Sequence, residues 1–196
     1  MLRLLGISAG MLVAATAPAF AHLNPGEHGS FAAGFSHPMF GLDHILAMVA
    51  VGLWAAMLGG RAVWAVPSAF VGTMVIGFAL ALSGIALPFV EPVILASVVV
   101  LGLVVAMAVR LPAAAGAVLV GLFALFHGHA HGGEIGSATA MSYLAGFALA
   151  TAALHGVGIG TGLLLGASRS RTGFALARGL GGATALAGIG LFAGVL

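Results

Sequence analysis

The chain has 196 residues, of which 62% are hydrophobic and only 5% charged. Its mean hydropathy of +1.24 is more apolar surface than a soluble domain can hide, which excludes a soluble globular protein and indicates an integral membrane one. Cysteine is absent, so disulfides, thiolate metal sites and cysteine nucleophiles are excluded, and six scattered arginines without lysine offer no surface for nucleic acid.

Residues 1–21 combine Arg3, an apolar middle and the small-x-small end Ala19-Phe20-Ala21, the pattern of a cleavable signal peptide. An uncleaved first helix is the alternative. Cleavage after Ala21 leaves residues 22–196 as one transmembrane domain starting at His22, whose free amine and imidazole form a chelating pair. Glu27 and His28 follow closely, although a polar linker accounts for the same residues. Six apolar segments come next, near 40–58, 63–87, 90–109, 113–130, 138–165 and 174–196, each close to the length a bilayer demands. The fold class read from this is an all-α, polytopic membrane protein with six transmembrane helices after a signal peptide. Connectors are short and no low-complexity tract interrupts them. A cleaved signal places His22 outside, so the first, third and fifth connectors face the cytoplasm. Those connectors carry Arg61, Arg110, Arg169 and Arg171, with Arg178 just inside the last helix, as the positive-inside rule requires. The expected location is a bacterial inner membrane with both mature termini outside.

Two clusters of ionisable residues interrupt this apolar pattern. In HPMFGLDHILAM, His37, His44 and Met48 fall at i, i+7 and i+11, one stripe of a regular helix, with Asp43 to the side. Pro38 suits the first turn of such a helix, and Gly41 clears space on the stripe. In FHGHAHGGE, His127, His131 and Glu134 fall at i, i+4 and i+7, while His129 points away. Gly128, Gly132 and Gly133 leave open whether the helix continues that far. The topology puts both clusters near the outer boundary. His155 lies deeper, followed by glycine at every second position to Gly162, which invites close contact or a break. It reads either as a relay site or as one interhelical hydrogen bond. Ionisable groups inside a bilayer are expensive and commonly mark an ion path, the alternative being that they only hold helices together.

The paired motifs H-P-x-x-G-x-D-H-x-x-x-M and F-H-G-x-A-H-G-x-E resemble those of the HupE/UreJ family of small membrane proteins, and the resemblance covers essentially the whole chain. They are carried here by His37, Pro38, Gly41, Asp43, His44 and Met48, then by Phe126, His127, Gly128, Ala130, His131, Gly132 and Glu134. The resemblance implies nickel uptake for hydrogenase or urease maturation, by secondary transport without an ATPase. The hydrogenase-linked, urease-linked and cobalt-transporting branches stay open. Imidazole with carboxylate is a borderline ligand set suited to Ni²⁺, Co²⁺ or Zn²⁺ rather than Mg²⁺ or Ca²⁺, and ligand type alone does not select nickel. The expected ligands are His37, Asp43 and His44, completed or relayed by His127, His131 and Glu134. Met48 is a weaker candidate beneath them, and His22 and His155 are candidates at the two extremes. Protonation of imidazole would release the ion, which makes proton coupling an expectation. No prosthetic group and no catalytic residue is expected. The expected partners are the metal ion, the lipid bilayer and hydrogenase or urease maturation proteins, with the oligomeric state open. An intramembrane zinc hydrolase, with Zn²⁺ activating water, and a non-transporting metal-binding accessory are the competing readings.

Overall fold

The computed structural model describes residues 31–135, 139–166 and 170–196, apart from the side chain of Glu134. The expected signal peptide, His22, Glu27, His28 and Arg169 lie outside the described residues. The chain forms helices α1 (Phe31–Phe40), α2 (Leu42–Leu58), α3 (Ala62–Leu82), α4 (Val90–Ala106), α5 (Ala113–Glu134), α6 (Ala140–Leu164) and α7 (Arg171–Phe192), with no strand among the described residues. Helices are what so apolar a chain must form in lipid, because each satisfies its own backbone N–H and C=O groups.

Four of these helices, α3, α5, α6 and α7, are long and apolar enough to cross a membrane, and the bent pair α1–α2 is a fifth candidate. α4 is apolar but has only 17 residues, short of the length that marks the other four as clear spans. It stops at Ala106 because the chain reverses through Ala108, at φ 52°, ahead of Pro112.

One end of each of two segments also differs from the reading above. The first is not one helix from residue 40. A separate ten-residue helix, α1, carries His37 and Pro38, breaks at Gly41, and meets α2 at 83°. His37, His44 and Met48 therefore do not share a helical stripe, and Pro38 sits near the end of α1 rather than in a first turn. Gly41 is extended, at φ −81° and ψ 114°, and caps α2, and a Cβ there would lie 2.9 Å from His44 Nδ1. In the other direction, α5 runs through FHGHAHGGE without a break, so its glycines do not loosen it.

The molecule is apolar on its outside as well as in its core, and its few buried polar side chains lie inside the bundle. Trp64, Phe89, Val118, Met141, Leu164 and Leu186 are among the large side chains facing outward. The buried polar side chains among the described residues are His44, Ser97, His127, His131, Thr151 and His155.

Glycine decides which helices pack most closely. Cβ atoms at Gly77 and Gly128 would strike the Leu125 and Met74 carbonyls, so α3 and α5 pack backbone to backbone. Gly52 and Gly158 do the same for α2 and α6, and Gly34 and Gly146 for α1 and α6. Gly102, Gly181 and Gly188 bring α4 against α7. The alternating glycines of α6 resolve accordingly: the helix is unbroken, Gly158 and Gly162 face α2, and Gly156 and Gly160 meet nothing within 4 Å.

Substituting Gly128 or Gly158 by valine should lower the melting temperature of the detergent-solubilised protein, at the upper end of the ~1–3 kcal/mol overpacking range or beyond, because backbone must move. Gly160→Ala should leave it equal or slightly higher, since alanine favours the helix by ~0.5–1 kcal/mol and nothing stands in its way.

Candidate metal centre

Because α2 starts and α5 ends on the same side of the bundle, their histidines meet. The break at Gly41 lets α1 fold across this end and present His37 from a third direction. One ligand atom from each of His37, His44 and His131 lies within 4.8 Å of the others, with His44 and His131 buried and His37 half-buried. The ring centroids of His37 and His131 are 4.4 Å apart, those of His44 and His131 4.8 Å, and those of His44 and His127 5.1 Å. The four imidazoles thus form one continuous group, roofed by Phe147 of α6, whose ring lies 4.6 Å from His131.

Proton positions follow from the contacts. His44 Nε2 and His131 Nε2 are 2.7 Å apart, so one must donate and the other accept. Asp43 Oδ2 lies 2.9 Å from His44 Nδ1, close enough for charge attraction though off the direction of a ring N–H bond. That attraction favours a proton on His44 Nδ1, which leaves His44 Nε2 to accept from His131. A metal ion bound by both Nε2 lone pairs would have to displace the proton between them, so ion entry and proton movement are linked by geometry.

His127 is oriented by α4. Ser97 Oγ donates to Ile94 O at 2.6 Å and lies 3.0 Å from His127 Nε2. With the hydroxyl proton committed, Nε2–H is the donor of the second bond, and the Nδ1 lone pair is left available. Nδ1 is buried with no hydrogen-bond partner. Fixing one ring nitrogen so that the other can ligate is the usual way a protein orients a metal-binding imidazole.

The remaining candidates separate. Glu134 ends α5, with its side chain outside the described residues. Met48 is fully buried one turn below His44, within the hydrophobic core. His129 leaves the cluster, as its spacing implied, and donates to Ile85 O at 2.7 Å, tying α5 to the connector after α3. His155 is not an interhelical hydrogen bond: it is 1% exposed and neither ring nitrogen has a partner. Sequence reasoning missed Ser97, Phe147 and Phe70. Ser97 could have been found as the one hydroxyl in the apolar run of α4. The two phenylalanines carry no such signal, because they are apolar residues in apolar helices.

No solved structure matches the chain. The Protein HupE of Rhizobium leguminosarum bv. viciae is 50% identical over 185 residues, covering 93% of this chain and 95% of that protein. The family profile described as HupE / UreJ protein matches residues 10–191. With a match of that extent and a relative that similar over nearly its whole length, the chain belongs to the HupE/UreJ family of membrane proteins.

Proposed function

We propose that this protein is a secondary transporter that imports a divalent transition metal, with nickel as the cargo, for hydrogenase or urease maturation. The observation that carries this reading is the meeting of His37, His44 and His131 within 4.8 Å at one end of an apolar bundle. Three imidazoles from three helices serve no packing purpose that apolar side chains would not serve better, whereas neutral nitrogen donors suit Ni²⁺, Co²⁺ or Zn²⁺.

In this reading, His37 captures the ion at the mouth, and His44 and His131 take it with their Nε2 atoms. Asp43 offsets part of the dication's charge, and Glu134 does so from the end of α5. His127 offers Nδ1 at the next step, and Met48 is a weaker thioether donor beneath. The proton between His44 and His131 shifts to the other nitrogen of its own ring as the ion enters, and uptake of a further proton by either imidazole would release the ion, which is the physical basis for proton coupling.

We further propose six spans, counting α1–α2 as one and including α4. A helix of that length rises ~25 Å, somewhat less than the ~30 Å hydrocarbon core, and thinning of the bilayer accommodates the difference. The histidine end then faces outward, after removal of residues 1–21, with both mature termini outside and His22 free to deliver metal. Arg61, Arg110 and Arg171 flank connectors at the opposite end, as an inner face requires. The chain has no cysteine, so single introduced thiols report topology cleanly. Ser83→Cys should react with an impermeant reagent added to intact spheroplasts, and Met107→Cys only after permeabilisation. Reaction of both from outside would show that α4 does not cross.

Cells lacking other nickel importers should accumulate labelled nickel when they express this chain, and His44→Ala should reduce that uptake about tenfold or more, the scale on which losing a ligand acts. Cobalt should compete and magnesium should not. Collapsing the proton gradient at fixed membrane potential should slow uptake. A correctly inserted chain that moves no metal would shift the function to a non-transporting accessory role.

Ser97→Ala should weaken metal binding to the purified protein about 10- to 100-fold, the range for a lost orienting contact, with little effect on melting. Equilibrium dialysis with nickel reads the first, and a thermal scan the second.

A further inference from the structure

A single aromatic ring touches both the histidine cluster and His155. Phe70 of α3 is fully buried, with its ring centroid 5.7 Å from His127 and 5.0 Å from His155. His155 presents two ring nitrogens without partners in the interior of the bundle. An imidazole left unsatisfied there is costly, and it is a ready ligand for the same class of ion that the outer cluster suits.

The two contacts of Phe70 are not mechanically alike. His127 belongs to α5, which is packed backbone to backbone against α3 through Gly77 and Gly128. His155 belongs to α6, which is packed in the same way against α2 through Gly52 and Gly158. The Phe70–His155 contact therefore crosses the seam between two closely packed helix pairs. One turn toward the histidine end, the same seam is bridged by Thr151 Oγ1 donating to Met74 Sδ at 3.6 Å, a weak bond to a soft acceptor. At the histidine end the seam is also tied by the 2.7 Å His44–His131 bond, whereas at the level of Phe70 its contacts are soft; packed helix pairs move as units, and such a seam is where movement occurs once that bond is given up to an ion.

We infer that Phe70 is the gate of the permeation path, closing the step between the outer cluster and a second metal station at His155. This rests on the transport reading above. The ring is fully buried and offers a dication no nitrogen or oxygen donor, so it stands as an apolar barrier to a bare ion; hydrophobic constrictions close channels in this way. Moving the ring breaks no hydrogen bond, whereas His127 is held in place by Ser97.

Because the chain has no cysteine, His155→Cys places a single thiol behind the gate. The protein is reconstituted in lipid vesicles, and a small cationic methanethiosulfonate reagent is added on the side from which Ser83→Cys reacts. Modification should be slow with Phe70 in place, about tenfold faster or more with Phe70→Ala, and intermediate with Phe70→Leu, because removing the ring opens a hydrated path. Leu101→Ala, a void in α4 made by deleting another buried side chain, should leave the rate unchanged. Equal rates for Phe70, Leu and Ala, or the same acceleration from Leu101→Ala, would overturn the gate. The leucine variant keeps most of the side-chain volume, so it decides the matter if the alanine variant does not fold. Labelling does not depend on transport. Phe70-dependent labelling in a chain that moves no nickel would leave the gate standing and remove the permease, and Phe70-independent labelling in a chain that does move nickel would remove the gate alone.

Discussion

Hydrocarbon does not hydrate an imidazole. A ring that loses water must find another partner or accept a free-energy cost, and this chain places His44, His127, His131 and His155 in its interior. Each ring meets that constraint differently. His44 and His131 share one proton between facing nitrogens, His127 donates to a serine hydroxyl, and His155 packs against Phe70 with neither nitrogen hydrogen-bonded. The least satisfied of the four is thus the one farthest from the histidine end of the bundle. A path that takes up an ion at one end and passes it inward needs such a gradient, because a fully satisfied inner group would have no reason to bind.

What brings the rings together is the absence of side chains elsewhere. Wherever glycine allows two backbones to touch, the helices are drawn into pairs, and the polar residues fall along the seams between pairs. Ser97 of α4 and Phe147 of α6 reach His127 and His131 across such seams, and Phe70 of α3 reaches His155. α7 contributes no side chain to the cluster; it packs against α4, and near the opposite end its Arg178 donates to Ala106 O at 2.6 Å. Also near that end, Trp54 donates to Val109 O at 2.8 Å, tying α2 to the connector after α4. Both ends of the bundle are thus polar and bonded, for different purposes.

Much of this was legible in the one-dimensional pattern. The helical class and the two histidine motifs follow from composition and spacing, because a bilayer tolerates few alternatives to a helix and few reasons for an imidazole, whereas spacing left open whether Gly128 and Gly158 loosen their helices or pack them. The stripe through His37, His44 and Met48 was not legible correctly. Periodicity assumes an unbroken helix, and at Gly41 the chain turns sharply instead. The error left the cluster intact, since the bend returns His37 to within 5.7 Å of His44 by a different route.

The sequence by itself determined that the protein belongs in a membrane, that arginine gathers toward one end of its helices, and that, without cysteine, imidazole and carboxylate are the strongest side-chain donors it can offer a divalent transition metal. These are properties of residue type and order, and they survive any arrangement of the helices. Only the tertiary structure decided which nitrogens face one another, that Ser97 fixes the His127 ring, that neither nitrogen of His155 has a hydrogen-bond partner, and that Phe70 touches both His127 and His155. Those facts depend on contacts between residues as far apart in the chain as His44 and His131. No local spacing encodes them, because they arise where glycine lets one helix approach another.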